Sequence, residues 1–292
     1  MQVHSPMAPM RRTLRAAQFA AAALALTACA AAPPVPAELV LTRPVVLLGE
    51  VHDNAVQHDL RLRAVEDWIA RGARPAVLME QFDREQQAVI ERLRAQRPQP
   101  DAGALIAAAA PSRGGWNWTF YTPFVALALR HDLPLVAVNV SRDDARAVMS
   151  RGLAASGFDA AVPADVSAGI VRLVQDSHCG MIDATAARRL ALAQVARDQH
   201  MARAVEAHAG RGVLLLAGNG HVRTDVGVPR WLSPATRARS EAIGLLELGD
   251  DDEAAAFDLT VVTPRQPRED PCAAMRRPAG VSSPASGAAS PK

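Results

Sequence analysis

The chain has 292 residues, 49% of them hydrophobic, which is enough for one large domain or two small ones with a substantial core. A formal net charge of +2 gives no reason to expect a nucleic-acid partner. The only lysine is Lys292, so there is no Walker lysine, Schiff-base lysine or pyridoxal anchor inside the fold.

The N-terminal segment reads as an address. Arg11, Arg12 and Arg15 precede an apolar stretch, Phe19 to Leu26, that is too short to span a bilayer comfortably. Leu26-Thr27-Ala28-Cys29 follows and resembles the lipobox of bacterial lipoproteins. The resemblance implies a signal peptide over 1–28 and acylation of the Cys29 sulfur, with residues 29–38, rich in proline, as an extended tether. Ala30, where no aspartate follows the cysteine, resembles lipoproteins sorted to the outer membrane and facing the periplasm. The alternative is an ordinary signal peptide in which Cys29 is incidental. In an exported protein Cys179 and Cys272 are free to pair, but Cys272 lies in a proline-rich tail, and the expectation is no structural disulfide. No CxxC or CxxCH occurs, so nothing in the sequence supports a zinc ribbon or covalent c-type haem attachment.

The folded domain is expected over 39–265. Val45 to Leu48 is a continuous apolar run of the kind a parallel strand buried on both faces requires, and it ends in Gly49, Glu50 and His52. Asp53 or Asn54 then caps a helix whose apolar positions run from Val56 to Ile69 and which Gly72 closes. Pro75 to Met79 is a second buried strand ending in a carboxylate, Glu80, which completes a βαβ unit. A helix follows over about 84–96, then an aromatic segment holding Trp116, Trp118, Phe120 and the only tyrosine, Tyr121. Thr122 and Pro123 have the pattern of a cap and first helical residue.

Leu133 to Val140 predicts a third strand, and two short helices fit between Ser141 and Gln175. Ser177-His178-Cys179-Gly180 is a polar break before an alanine-rich helix over 183–208. Gly212 to Ala217 predicts the fourth strand, followed at once by Gly218-Asn219-Gly220-His221. Two late strands, near 243–248 and 257–262, flank an acidic turn and fit an antiparallel hairpin. The Pro, Ser and Ala content of 266–292 predicts a disordered tail. The expected class is α/β, a mostly parallel buried sheet with flanking helices.

One local motif recurs. Gly49-Glu50-Val51-His52 and Gly218-Asn219-Gly220-His221 each follow a buried strand and project an imidazole at the same end of the sheet, where open α/β folds bind ligands. With Glu50 and Glu80 beside them, His52 and His221 suit a divalent site of mixed nitrogen and oxygen ligands, such as zinc or manganese. They equally suit a metal-free acid/base pair that activates water. The same four residues are then the catalytic set of a hydrolase, a peptidase or esterase.

The segments GEVHDNAVQH, VLMEQFDREQQ, VAVNV, SHCGM with ARDQHMA, and above all LLLAGNGHVRTDVGVPRWL resemble the ChaN-like haem-binding lipoproteins of the Tiki, TraB and erythromycin-esterase superfamily, over about 40–250. The resemblance implies an α/β fold, non-covalent haem, dimers, and a role in iron acquisition at the outer membrane, where a haem receptor would be a partner. From the Tiki relatives it implies metal-dependent peptide cleavage by His52, His221, Glu50 and Glu80. An axial haem ligand is commonly tyrosinate, histidine or methionine, so Tyr121 and then His178 are the candidates, with Arg113 and Arg223 for the propionates in a chain without lysine there.

Overall fold

The computed structural model describes residues 38–112, 115–270 and 272–273; the expected signal peptide, Cys29 and the tether to Ala37 lie outside them, as does Arg113. Six parallel strands form one sheet in the order β3-β2-β4-β1-β5-β6. They are β1 (Val45–Leu48), β2 (Ala76–Asp83), β3 (Leu135–Asn139), β4 (Val213–Leu216), β5 (Ser240–Glu247) and β6 (Leu259–Thr263). Among the described residues no helix is long and apolar enough to cross a membrane.

The apolar runs of the central strands follow from burial on both faces. Val46, Leu48, Val77, Met79, Leu214 and Leu216 pack under α1 (Ala55–Ala70), α2 (Gln87–Arg94), α3 (Ala102–Ala109) and α4 (Trp118–Arg130). Val45, Leu47, Ala76, Leu78, Val213 and Leu215 face the opposite layer, where α7 (Ala184–His208) contributes Met201, Ala202 and Val205. A third apolar cluster joins α7 to α5 (Arg142–Arg151) and α6 (Ala164–Ser177). Two short helices, α8 (Asn219–Val222) and α9 (Pro234–Arg239), fill the chain between β4 and β5.

Three expectations are corrected. The late strands are not a hairpin: β5 and β6 pair in parallel, Ile243 opposite Leu259 and Glu247 opposite Thr263. The acidic segment Asp251–Ala256 is a 3-10 crossover rather than a tight turn, as a parallel pair demands. Cys179 and Cys272 form a disulfide with Cα atoms 5.7 Å apart, closing a sequence separation of 93 residues. The chain after Pro264 can reach Cys179 because its first part is held in place. Arg268 donates to both carboxylate oxygens of Asp53 at 2.8 and 2.7 Å and to Glu247, and the Gln266 N–H donates to Glu247 at 2.9 Å.

Finally, α4 starts at Trp118, capped by the Asn117 side chain, so Pro123 lies inside the helix rather than at its start. Pro123 cannot donate to the Thr119 carbonyl one turn back, and beside it the Thr122 hydroxyl donates to the Trp118 carbonyl at 2.7 Å.

Candidate functional site

The order β2-β4-β1 puts the carboxyl ends of three neighbouring strands side by side, and each contributes to one rim. Glu50 and His52 follow β1, Glu80 lies in β2, and His221 sits in α8 directly after β4. Close backbone approach makes this possible. A β-carbon on Gly49 would fall 2.2 Å from Asn219 Oδ1 and 2.9 Å from the Ile243 carbonyl, so only glycine lets the two turns meet. Asn219 fixes the second turn to β5 by donating to the Leu245 carbonyl at 2.6 Å and accepting from its N–H at 3.1 Å.

Glu50 is buried and surrounded by donors. The Tyr121 hydroxyl donates to Oε1 at 2.5 Å, His52 Nδ1 lies 2.8 Å from the same oxygen, and the fully buried Arg61 guanidinium pairs with Oε2. Arg61 also donates to the Leu48 carbonyl at 3.2 Å. Its pKa is lowered by burial to about 10, which leaves it charged at neutral pH. His58, beneath this group, has a pKa lowered by burial to about 4 and stacks on Phe120 at 4.3 Å. It is therefore neutral, and its Nε2 donates to the His52 carbonyl at 3.0 Å.

The second half of the rim is a carboxylate-imidazole-carboxylate ladder. His221 Nδ1 lies 2.6 Å from Asp198 on α7, and its Nε2 lies 3.5 Å from Glu80. Burial opposes charge on this imidazole, but the two carboxylates outweigh it and raise its pKa to about 10. Burial likewise opposes ionisation of Glu80, while His221 and the Gly218 N–H, 2.8 Å from Oε2, hold it at about 2. Asp198 is raised by burial despite His221. Beside this ladder a cleft of about 260 Å³ opens between α6 and α7, with Ile170, Leu173 and Val174 as its apolar wall and His221 in its lining.

The two GxxH turns thus meet, as their recurrence predicts. Among the described residues no group of three or more His, Cys, Asp or Glu is arranged to hold a metal ion; Glu50 faces Tyr121 and Arg61, and Glu80 faces His221.

Tyr121 lies behind the rim, 1% exposed, and burial raises its phenol above the ordinary value. His178 caps α6 with Nδ1 on the Val174 carbonyl at 2.7 Å. Arg223 already meets Asp225 and Glu253 at 2.9 and 3.0 Å. Arg61 and Asp198 were missed. Helical periodicity places Arg61 one position after the apolar Leu60, and Asp198 sits among alanines on a long helix, so neither carries a local signal that it reaches the sheet edge.

The model of a family described as haem-binding uptake, Tiki superfamily, ChaN matches residues 37–232. A solved structure of ChaN from Campylobacter jejuni, described with cofacial haem binding, superposes with a TM-score of 0.57 at 19% identity, covering 70% of this chain and 81% of that one. An erythromycin esterase in its open conformation matches more distantly, with a TM-score of 0.38 at 13% identity, covering 71% of each chain. No curated protein sequence matches. With the family model spanning most of the folded domain, the chain belongs to the ChaN haem-binding uptake family of the Tiki superfamily.

Proposed function

We propose that this protein binds haem non-covalently at the carboxyl-end rim and serves haem and iron uptake. The observation that carries the reading is family membership over 37–232. The donor set at the rim is compatible with it. His52 is half exposed, and Trp116 stands edge-on to its ring at 4.9 Å, so an imidazole and an aromatic wall lie together at the sheet edge. Haem would supply a ligand-binding iron and a broad apolar face, and the protein's part is to hold it. We further propose that a lipid on Cys29 anchors the protein to the outer membrane facing the periplasm. A second copy of the chain and an outer-membrane haem receptor are its proposed partners.

Titrating the purified protein with hemin should give a saturable Soret band, and its absence removes the haem reading. Cys29→Ser should move the protein from the membrane to the soluble fraction, and unchanged fractionation overturns the anchor.

One observation favours a second reading, hydrolysis. Glu50 backs the exposed His52, an arrangement that activates water without a metal. Its test is turnover of a nitrophenyl ester that His52→Ala abolishes.

A further inference from the structure

We propose that the amino-terminal end of the sheet is a docking face for anionic phospholipid headgroups, carried by Arg43, Arg74 and Arg211. It deepens the membrane reading above and rests on the Cys29 anchor for the position of the bilayer.

One pattern repeats at this end of the sheet as GxxH does at the other. Arg43-Pro44, Arg74-Pro75 and Arg211-Gly212 stand immediately before β1, β2 and β4. These strands are neighbours in the order β2-β4-β1, and Val213 pairs with both Ala76 and Val45, so the three arginines enter at one level. Adjacent strands lie about 4.8 Å apart, which gathers the three backbones within about 10 Å. Together with Arg71, Leu41 and Trp68 they line a hollow of about 490 Å³, and among the described residues none of its lining side chains is a carboxylate.

The arginines are held in place without being neutralised. Arg43 donates to the Ala238 carbonyl, Arg74 to the Ile69 and Ala73 carbonyls at 2.9 and 2.7 Å, and Arg211 to the Arg74 carbonyl at 3.1 Å. A guanidinium has five N–H donors, so each keeps others for an outside acceptor. Arg71 pairs with Asp67 at 2.8 Å, whereas among the described residues Arg43, Arg74 and Arg211 are in no ion pair. Glu241 and Asp258 act on Arg43 at longer range, and Asp258 is itself paired with Arg237. Exposed like charges at one edge create a positive potential that attracts phosphate groups.

The path of the chain selects a bilayer over a small anion. The described residues begin at Glu38 and reach β1 at this end through Leu39 and Leu41, packed in the core, with Val40 between them 43% exposed. Cys29 precedes Glu38 by nine residues, each spanning at most about 3.6 Å, so a lipid there keeps this face within about 30 Å of the membrane. Three arginines are a second, weaker membrane signal, suited to orienting a domain that a lipid already holds. Docked this way, the parallel strands point away from the bilayer and the rim of Glu50, His52 and His221 faces outward.

The test is flotation of the full Cys29→Ser chain, which has no sulfur to acylate there, with vesicles of phosphatidylcholine alone or mixed with phosphatidylglycerol. The chain should prefer the anionic vesicles, and about 1 M salt should erase the preference. A basic residue at an anionic surface is worth about fivefold in partitioning, so Arg74→Gln with Arg211→Gln should lower it about 25-fold. Arg188→Gln with Arg189→Gln removes the same charge from exposed positions near the start of α7, whose other end leads to Arg211, and should keep the preference. Residues 1–37 are the same in all these chains, so their comparison reports the folded face. Equal partitioning of the two double variants overturns the proposal, as does a preference that salt leaves unchanged. Indifference to phosphatidylglycerol also overturns it, and calorimetry with inorganic phosphate then shows whether the hollow takes a small anion instead. The salt dependence needs no substitution in the hollow, so it decides the matter even where the Arg74 and Arg211 variant fails to fold. Fractionation of Cys29→Ser tests the anchor separately: if it is unchanged the anchor falls, and the vesicle assay still decides whether this face takes anionic lipid.

Discussion

The imidazole of His52, from the turn after β1, rests on the α-carbon of Gly218, from the turn after β4, so closely that a β-carbon there would lie 2.7 Å from Cε1 and 3.0 Å from Nε2. Gly218 has φ −63°, which any residue adopts, so the requirement for glycine is contact and not backbone conformation. Gly218→Ala should therefore leave stability within about 1 kcal/mol, because a half-exposed ring can swing away from the added methyl. It should also weaken hemin binding about tenfold, since the ring then loses its orientation. Denaturant melts and hemin titration of the same sample check both. A variant with a collapsed melt would show that Gly218 packs the core instead.

Arg61 and Glu50 form a fully buried ion pair, and removing one partner strands the other. Arg61→Met should cost about 3–5 kcal/mol in urea unfolding, the range for an uncompensated buried charge. Adding Glu50→Gln should recover part of that loss, because the second substitution removes the stranded charge. Strict additivity of the two single effects would mean that the pair is not coupled.

How much of this could be read in the chain differs between fold and site. Strands β1 and β4 were legible because burial on both faces imposes an unbroken apolar run, and the glycine after each marks where the run turns at the rim. Which strands lie side by side is a property of topology, so the meeting of β2, β4 and β1 was visible only through the repeated GxxH. The parallel pairing of β5 with β6 was misread as a hairpin because the acidic segment between them looks like a turn, although it crosses over. The partners Arg61 and Asp198 were invisible, since a buried charge on a helix leaves no periodic trace and declares itself only through the group it faces. Nor does the sequence show that the Tyr121 hydroxyl, in its aromatic segment, donates to Glu50.

The Glu80-His221-Asp198 ladder makes stability depend on pH in a defined direction. His221 titrates near about 10 when folded, above the ordinary histidine value of about 6.5. Its contribution is full below about pH 6.5 and is lost as pH rises through about 10, because between those values only the folded state holds the proton. Glu80 works at the other end: its contribution is present above the usual carboxylate range and is lost as pH falls toward about 2. Asp198, raised by burial, offsets part of the gain as it ionises. The urea midpoint should decline across the alkaline window in wild type and decline less in His221→Gln. Equal slopes in the two proteins would detach the ladder from folding.

The segment after β6 runs from the rim to the α6–α7 turn, clamped at one end by Arg268 on Asp53 and Glu247 and at the other by the Cys179–Cys272 disulfide. Asp53 is the neighbour of His52, so the clamp bears on the same turn that presents the imidazole. Cys272→Ser opens a loop with a sequence separation of 93 residues and should cost about 2–4 kcal/mol, the usual range for a bridge whose main effect is on the unfolded chain. Arg268→Ala removes the other attachment and leaves Glu247, 1% exposed at its side chain, with Asn54, the Gln266 N–H and Arg265 as its partners. Either change should raise backbone hydrogen exchange in residues 264–270 and in the 51–54 turn while leaving β1 and β4 protected. If Cys272→Ser lowers the melting midpoint without raising exchange at 51–54, the bridge stabilises the fold but does not steady the His52 turn.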